Sequence, residues 1–154
     1  MNREVLIGPL VVEPSQQARQ AAKRKRAHDK ATIDEIKLPE YEAEGWSPVK
    51  RAKNSKVVVH RPLSLDKQLE NRVWLLFYLM GYPEIGGGQG FEIRFTRKEG
   101  QQGTKQIDVF AKDSETVLVV ECKSCDKPKK RSLQKDLEEF ANLKGHIAKS
   151  IRAH

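Results

Sequence analysis

Apolar positions along the chain follow three patterns. The first is helical: Leu69, Val73, Leu76, Phe77 and Met80 recur at steps of three and four, which brings them onto one helix face. Ser64 can cap that helix and Gly81 can end it. A second helix is predicted after Ser132, with Leu133, Leu137, Phe140 and Ile147 along one side and its end close to the C-terminus. The second pattern is alternation: Phe91-Glu92-Ile93-Arg94-Phe95 reads as a half-buried strand. The third is the unbroken run Val117-Leu118-Val119-Val120 inside a strand predicted over Thr116–Lys123. Such a run implies a strand covered on both faces, so helices should pack on both sides of its sheet. A strand over Ile107–Ala111 precedes it, joined by the turn Lys112–Glu115, and Val57–Val59 forms another short strand closed by Pro62.

The N-terminal third is patterned more weakly. Val5–Ile7 and Leu10–Val12, split by Gly8-Pro9, predict a broken edge strand. Pro14-Ser15 opens a helix over Gln16–Lys30 that has no clear apolar stripe, so it should face solvent or a partner. Residues 31–56, with Pro39, Gly45 and Pro48, read as a linker or a loose wrap around Tyr41 and Trp46. The chain thus divides into a basic, helical extension with linker over 1–56 and a domain over 57–154. Gly86–Gly90 lacks the Lys-Ser or Lys-Thr of a phosphate loop and precedes a strand instead of a helix, so it reads as a flexible connector.

Charge narrows the partners. Charged residues make up 32% of the 154 and the net charge is +8, which favours polyanions and places nucleic acid first. Two basic clusters are candidate phosphate contacts: Lys23, Arg24, Lys25 and Arg26, and then Lys127, Lys129, Lys130 and Arg131 in the loop Asp126–Arg131. A solvated charged face is the competing reading of each. No apolar run approaches the ~18 residues of a membrane helix, so the protein reads as cytoplasmic. Cys122 and Cys125 are too few for a disulfide framework and agree with a reducing compartment. With no second cysteine pair to complete four zinc ligands, Cys122 reads as a small buried hydrophobe.

The chemistry lies at the end of the buried strand. Side chains alternate along a strand, so Glu121 and Lys123 share a face, and Asp108 is brought alongside Glu121 across a short hairpin. Carboxylates gathered at the edge of an apolar sheet repel each other unless a cation neutralises them. Hard oxygen ligands with open positions suit Mg²⁺ or Mn²⁺. Lys123 cannot ligate while protonated, so its role should be electrostatic.

The run Ile107-Asp108-Val109, followed after twelve residues by Glu121-Cys122-Lys123, resembles the PD-(D/E)xK nuclease superfamily, with Ile107 where the family name has Pro. The wider run Lys105–Ala111 and Val120–Ser124 is most similar to the Mrr-like branch. More loosely, Gly45-Trp46, Glu70 and Trp74 resemble the nuclease-like domains of DGQHR-type DNA-modification proteins. The resemblance implies an α/β, restriction-endonuclease-like α-β-β-β-α core with a central mixed sheet flanked by helices. It also implies a metal-dependent DNA endonuclease of restriction, phage defence or DNA modification. Asp108, Glu121 and the backbone carbonyl of Cys122 would hold Mg²⁺ or Mn²⁺, and Lys123 would position or help deprotonate a water. Glu70 and Gln134 would assist, although Glu70 also suits a helix dipole and Gln134 a solvated flank. The family core has a further strand after its last helix, where this chain ends. The open edge would be filled by a strand such as Val57–His60, or by a lost C-terminal part of a longer parent, or shielded by a homodimer or partner protein. The alternative is a catalytically inactive nuclease-like DNA-binding or regulatory module, against which the intact Asp108, Glu121 and Lys123 speak.

Overall fold

The structure, a computed structural model, describes residues 6–7, 13–88, 91–96, 101–124 and 130–152. It is an α/β arrangement of small antiparallel sheets and four helices. In chain order the elements are β1 (Leu6–Ile7), α1 (Pro14–Arg24), β2 (His28–Asp34), a 3₁₀ turn (Glu35–Lys37), α2 (Leu38–Ala43), β3 (Ser47–Ala52) and β4 (Lys56–Pro62). Then follow α3 (Leu65–Leu79), β5 (Glu84–Gly86), β6 (Glu92–Thr96), β7 (Gln102–Gln106), β8 (Val109–Lys112), β9 (Val117–Val120) and α4 (Lys130–Arg152). The strands form three sheets ordered β1-β6-β7, β2-β4-β3 and β5-β8-β9.

One central mixed sheet was the expectation, and this is corrected: every pairing among the described residues is antiparallel. The connections explain why. Parallel neighbours need a crossover of roughly a dozen residues or more, whereas β8 and β9 are joined only by Asp113–Thr116. Asp113 closes that turn by accepting the backbone N–H groups of Glu115 and Thr116.

Apolar side chains pack on both faces of the β8–β9 hairpin, but it is β8 that is buried; β9, which carries the unbroken apolar run, is only half-buried, with Val117 40% exposed. On one side Val109, Ala111 and Cys122, with Leu118 and Val120, pack against Trp74 and Phe77 of α3. On the other, Ile107 and Phe110, with Val119, meet Phe91, Ile93 and the α4 residues Phe140, Leu143 and Ile147. The stripe on α3 differs from the expected one: Asn71, Trp74 and Phe77 are buried, while Leu76 and Met80 are 54% and 60% exposed. Positions 71, 74, 77 and 78 are also three and four apart, and this rotation buries the large indole, which is fully covered. In α4, Leu133 and Leu137 are likewise exposed, so only the helix's later part packs on the sheet.

Helix α1 is shorter than expected; most of its residues face solvent, as expected, and one side docks on α3. Ala21 is buried in the α3 cluster, Gln17 donates to the carbonyl of Pro83, and the Arg24 guanidinium donates to Asn71 and lies 4.8 Å from the centre of the Trp74 ring. Residues 31–56 are not a linker. They carry most of the β2-β4-β3 sheet, whose small core joins Ile33, Val57 and Val59 to Leu38, Tyr41 and Trp46. A division at residue 56 falls inside β4 of that sheet.

Sheets β1-β6-β7 and β5-β8-β9 meet at a corner. The N–H of Ile107 donates to the carbonyl of Phe91, and its own carbonyl accepts from Gly88. Gly87 has a φ of +110°, and a Cβ there would lie 2.5 Å from the carbonyl oxygen of Asp108. Gly86–Gly88, the described part of the glycine segment, is thus a packed corner and not a loose connector: at Gly87 only a residue without a side chain lets the two backbones approach this closely.

Trp74→Ala should destabilise the fold by about 3–5 kcal/mol, and Leu79→Ala, at a 73% exposed position of the same helix, by less than about 0.5 kcal/mol. Urea unfolding of both variants measures the difference, and comparable losses would refute this packing of α3.

Candidate functional site

The β8–β9 ladder ends at the pair Val109 and Val120. One further step of that antiparallel register sets Asp108 opposite Glu121. The strand stops at Val120, short of the Lys123 expected, because the next backbone donor is taken by a side chain: Asp108 Oδ2 accepts the Cys122 N–H at 2.7 Å. Glu121 is nearly enclosed, with its side chain 10% exposed. Its Oε1 receives Lys105 Nζ at 2.7 Å and Lys123 Nζ at 2.9 Å. Its Oε2 is buried and meets no donor. A buried carboxylate oxygen left unpaired is costly, and such an atom is what a cation would satisfy.

Burial pushes the Asp108 carboxyl above the usual aspartate range; the Cys122 N–H pulls it back, and the charges of Glu121 and Glu70 push it further up. Lys123 is moved upward by its hydrogen bond to Glu121. The Cys122 thiol is raised to about 11, chiefly by burial and then by Asp108, Glu70 and Glu121. In the metal-free protein it therefore carries a proton at neutral pH. Glu70, on α3, joins this electrostatic group and is 13% exposed on its side chain. Lys67 holds it at 2.7 Å, and its charge is felt by Arg24.

Asp108, Glu121 and Lys123 are thus drawn together, and Glu70 acts on Asp108 through its charge. Gln134 donates to Glu138 one turn along an exposed face of α4. Lys127 and Lys129 lie outside the described residues, as does Cys125; Lys130 and Arg131 begin α4, and their side chains are not among those described. Of the N-terminal basic block, Arg24 is half-buried against Trp74, while Lys23, Lys25 and Arg26 are exposed.

Three further residues shape the site. Lys105 on β7 shares Glu121 with Lys123, Lys67 holds Glu70, and Asp66 accepts both the N–H and the hydroxyl of Ser124, fastening the segment after Glu121 to the start of α3. Strand alternation alone does not reveal Lys105, because its reach to Glu121 depends on the corner at Ile107. Lys67 lies three residues before Glu70, a spacing that pairs side chains on any helix.

Among the described residues no three His, Cys, Asp or Glu side chains form a group able to hold a metal ion. The donors of Asp108 and Glu121 nevertheless fit a hard cation of the Mg²⁺ type, which commonly takes one or two carboxylates and completes its shell with water and substrate phosphate. The unpaired Oε2 of Glu121 supports that fit. Among the described residues no helix is long and apolar enough to cross a membrane. No protein-family model matches the chain, and neither a curated protein nor a solved structure matches it.

Two outcomes follow from this geometry. Gly87→Ala should lower stability and disturb Asp108 together, costing upwards of about 1–3 kcal/mol; an unchanged unfolding midpoint would contradict the close approach. Asp108 binds its proton more tightly when folded, so its contribution to stability is full below the ordinary 3.8 and is lost as pH rises through the elevated folded value. Asp108→Asn keeps an acceptor for Cys122 but never ionises. Its stability relative to the parent should therefore rise between pH 3 and pH 7 in chelator. A flat or falling difference in urea midpoints would remove the basis for the raised carboxyl.

Proposed function

We propose that the chain is a metal-dependent phosphodiesterase of the PD-(D/E)xK type that cuts DNA, with Asp108 and Glu121 holding Mg²⁺ or Mn²⁺ beside Lys123. The observation that carries this reading is the enclosed Glu121 carboxylate, one oxygen tied to two lysines and the other unpaired, directly across the ladder from a second carboxylate. An ion held there supplies a water of lowered pKa and neutralises charge on the phosphoryl group.

The chain's own residues do the rest. The Cys122 N–H fixes one oxygen of Asp108 and so orients its carboxylate. Lys123 is held in its protonated form by Glu121, which suits stabilising the phosphate's developing charge and orienting a water better than removing a proton from it. Lys105 places a second ammonium on the same carboxylate oxygen and partly offsets its charge. Glu70, reached through Lys67 and Arg24, adds negative charge at the margin, in keeping with water-mediated support of a cation.

Purified protein incubated with plasmid and Mg²⁺ or Mn²⁺ should nick it. Lys123→Ala should lower the rate by about 10²–10³-fold, and chelator should abolish it. Equal nicking by parent and variant would sink the reading. DNA binding without any metal-dependent cut would point instead to a nuclease-like binding module.

A further inference from the structure

A cleft of about 1240 Å³ opens between α1, the β2-β4-β3 sheet, the start of α3 and the glycine corner. It exceeds the roughly 300–1,000 Å³ of small-ligand pockets. Its lining is strongly cationic, with Lys23, Arg24, Arg26, Lys30, Arg61 and Lys67 set against the two acids Glu13 and Asp29.

These cations are used unevenly. Arg24 lies on Trp74, Lys67 on Glu70 and Arg61 over the Trp46 ring at 4.6 Å. Lys23, Arg26 and Lys30 are exposed and form no ion pair among the described residues. Cations that outnumber the acids of a cleft repel one another, so three such residues lining it favour a polyanion that neutralises them.

The cleft also reaches the glycine corner that packs on the backbone of Asp108. Arg24 Nη2 and Lys67 Nζ both lie 3.9 Å from the position a Cβ would take at Gly88, and the neighbouring Gly87 abuts the backbone of Asp108. Lys67 is also paired with Glu70, whose charge acts on Arg24.

We infer that this cleft binds the phosphodiester backbone of the nucleic-acid strand that Asp108 and Glu121 act on, with the N-terminal sheet and α1 forming a substrate-holding wall. The inference rests on the phosphodiesterase reading for its substrate, but the binding itself needs no metal. Lys23, Arg26 and Lys30 contact phosphates, so the affinity is independent of sequence and sensitive to salt.

Fluorescence anisotropy of the full chain with labelled single-stranded and duplex DNA, in chelator and across about 50 to 200 mM salt, tests this. The triple variant Lys23→Ala, Arg26→Ala, Lys30→Ala should weaken binding at least tenfold in one or both arms. Losing three phosphate contacts should also flatten the slope of log K against log salt by about 2–3. A control that removes the same charge outside the cleft, Lys50→Ala, Lys53→Ala, Lys56→Ala, should have a markedly smaller effect. Equal losses in the two triple variants, or no loss in the first, would overturn the cleft. Lys123-dependent cleavage with binding indifferent to the three cations would overturn it while leaving the phosphodiesterase intact. Cleft-dependent binding without metal-dependent cleavage would support the cleft and overturn the enzyme.

Discussion

The hydrogen bond from the Cys122 N–H to Asp108 is the contact on which the rest of the site depends. It occupies the place where the β8–β9 ladder would take its next step, so one carboxylate both ends the strand and holds the following segment. The register sets Asp108 opposite Glu121, and the bend at Ile107 swings β7 so that Lys105 reaches the same acid. Gly87 makes the bend possible by bringing bare backbone against Asp108. A main-chain constraint of this kind positions charged groups more firmly than long side chains on a surface do.

Enclosure gives that geometry its chemical meaning. α3 and α4 cover opposite faces of the hairpin, and the two carboxylates stand at the end of that apolar layer. Burial there raises the proton affinity of Asp108 and leaves one oxygen of Glu121 unpaired beneath two ammonium groups. An arrangement of this sort weakens the isolated fold, and in the proposed reading a bound cation would offset that cost.

Much of this was legible in the chain, and the limits have physical causes. The run Val117–Val120 announced a strand with apolar packing on both faces, although β9 itself is only half-buried, and alternation beyond it put Glu121 and Lys123 together. Helix α3 was found and its inward face only in part: Leu69, Val73 and Phe77 do pack on the core, but Leu76 and Met80 face outward and Asn71 and Trp74 inward, because both sets share the helical spacing and only packing decides between them. The β2-β4-β3 sheet escaped notice because β3 is exposed throughout and β2 buries Ile33 alone, so neither carries clear alternation. The docking of α1 was hidden for a similar reason: its contacts are made by Gln17, Ala21 and Arg24, residues that on composition belong to a solvated face. Lys105 and the glycine corner depend on a bend between strands that no periodicity encodes.

The placement of a divalent cation between Asp108 and Glu121 is tested most directly by titrating Mn²⁺ into the protein and following the free ion by electron paramagnetic resonance. Saturable binding to the parent chain is predicted, lost in Asp108→Asn and in Glu121→Gln and retained in the α4 variant Glu138→Gln. Absence of binding, or binding that survives both site substitutions, would contradict the assignment of these carboxylates to a metal.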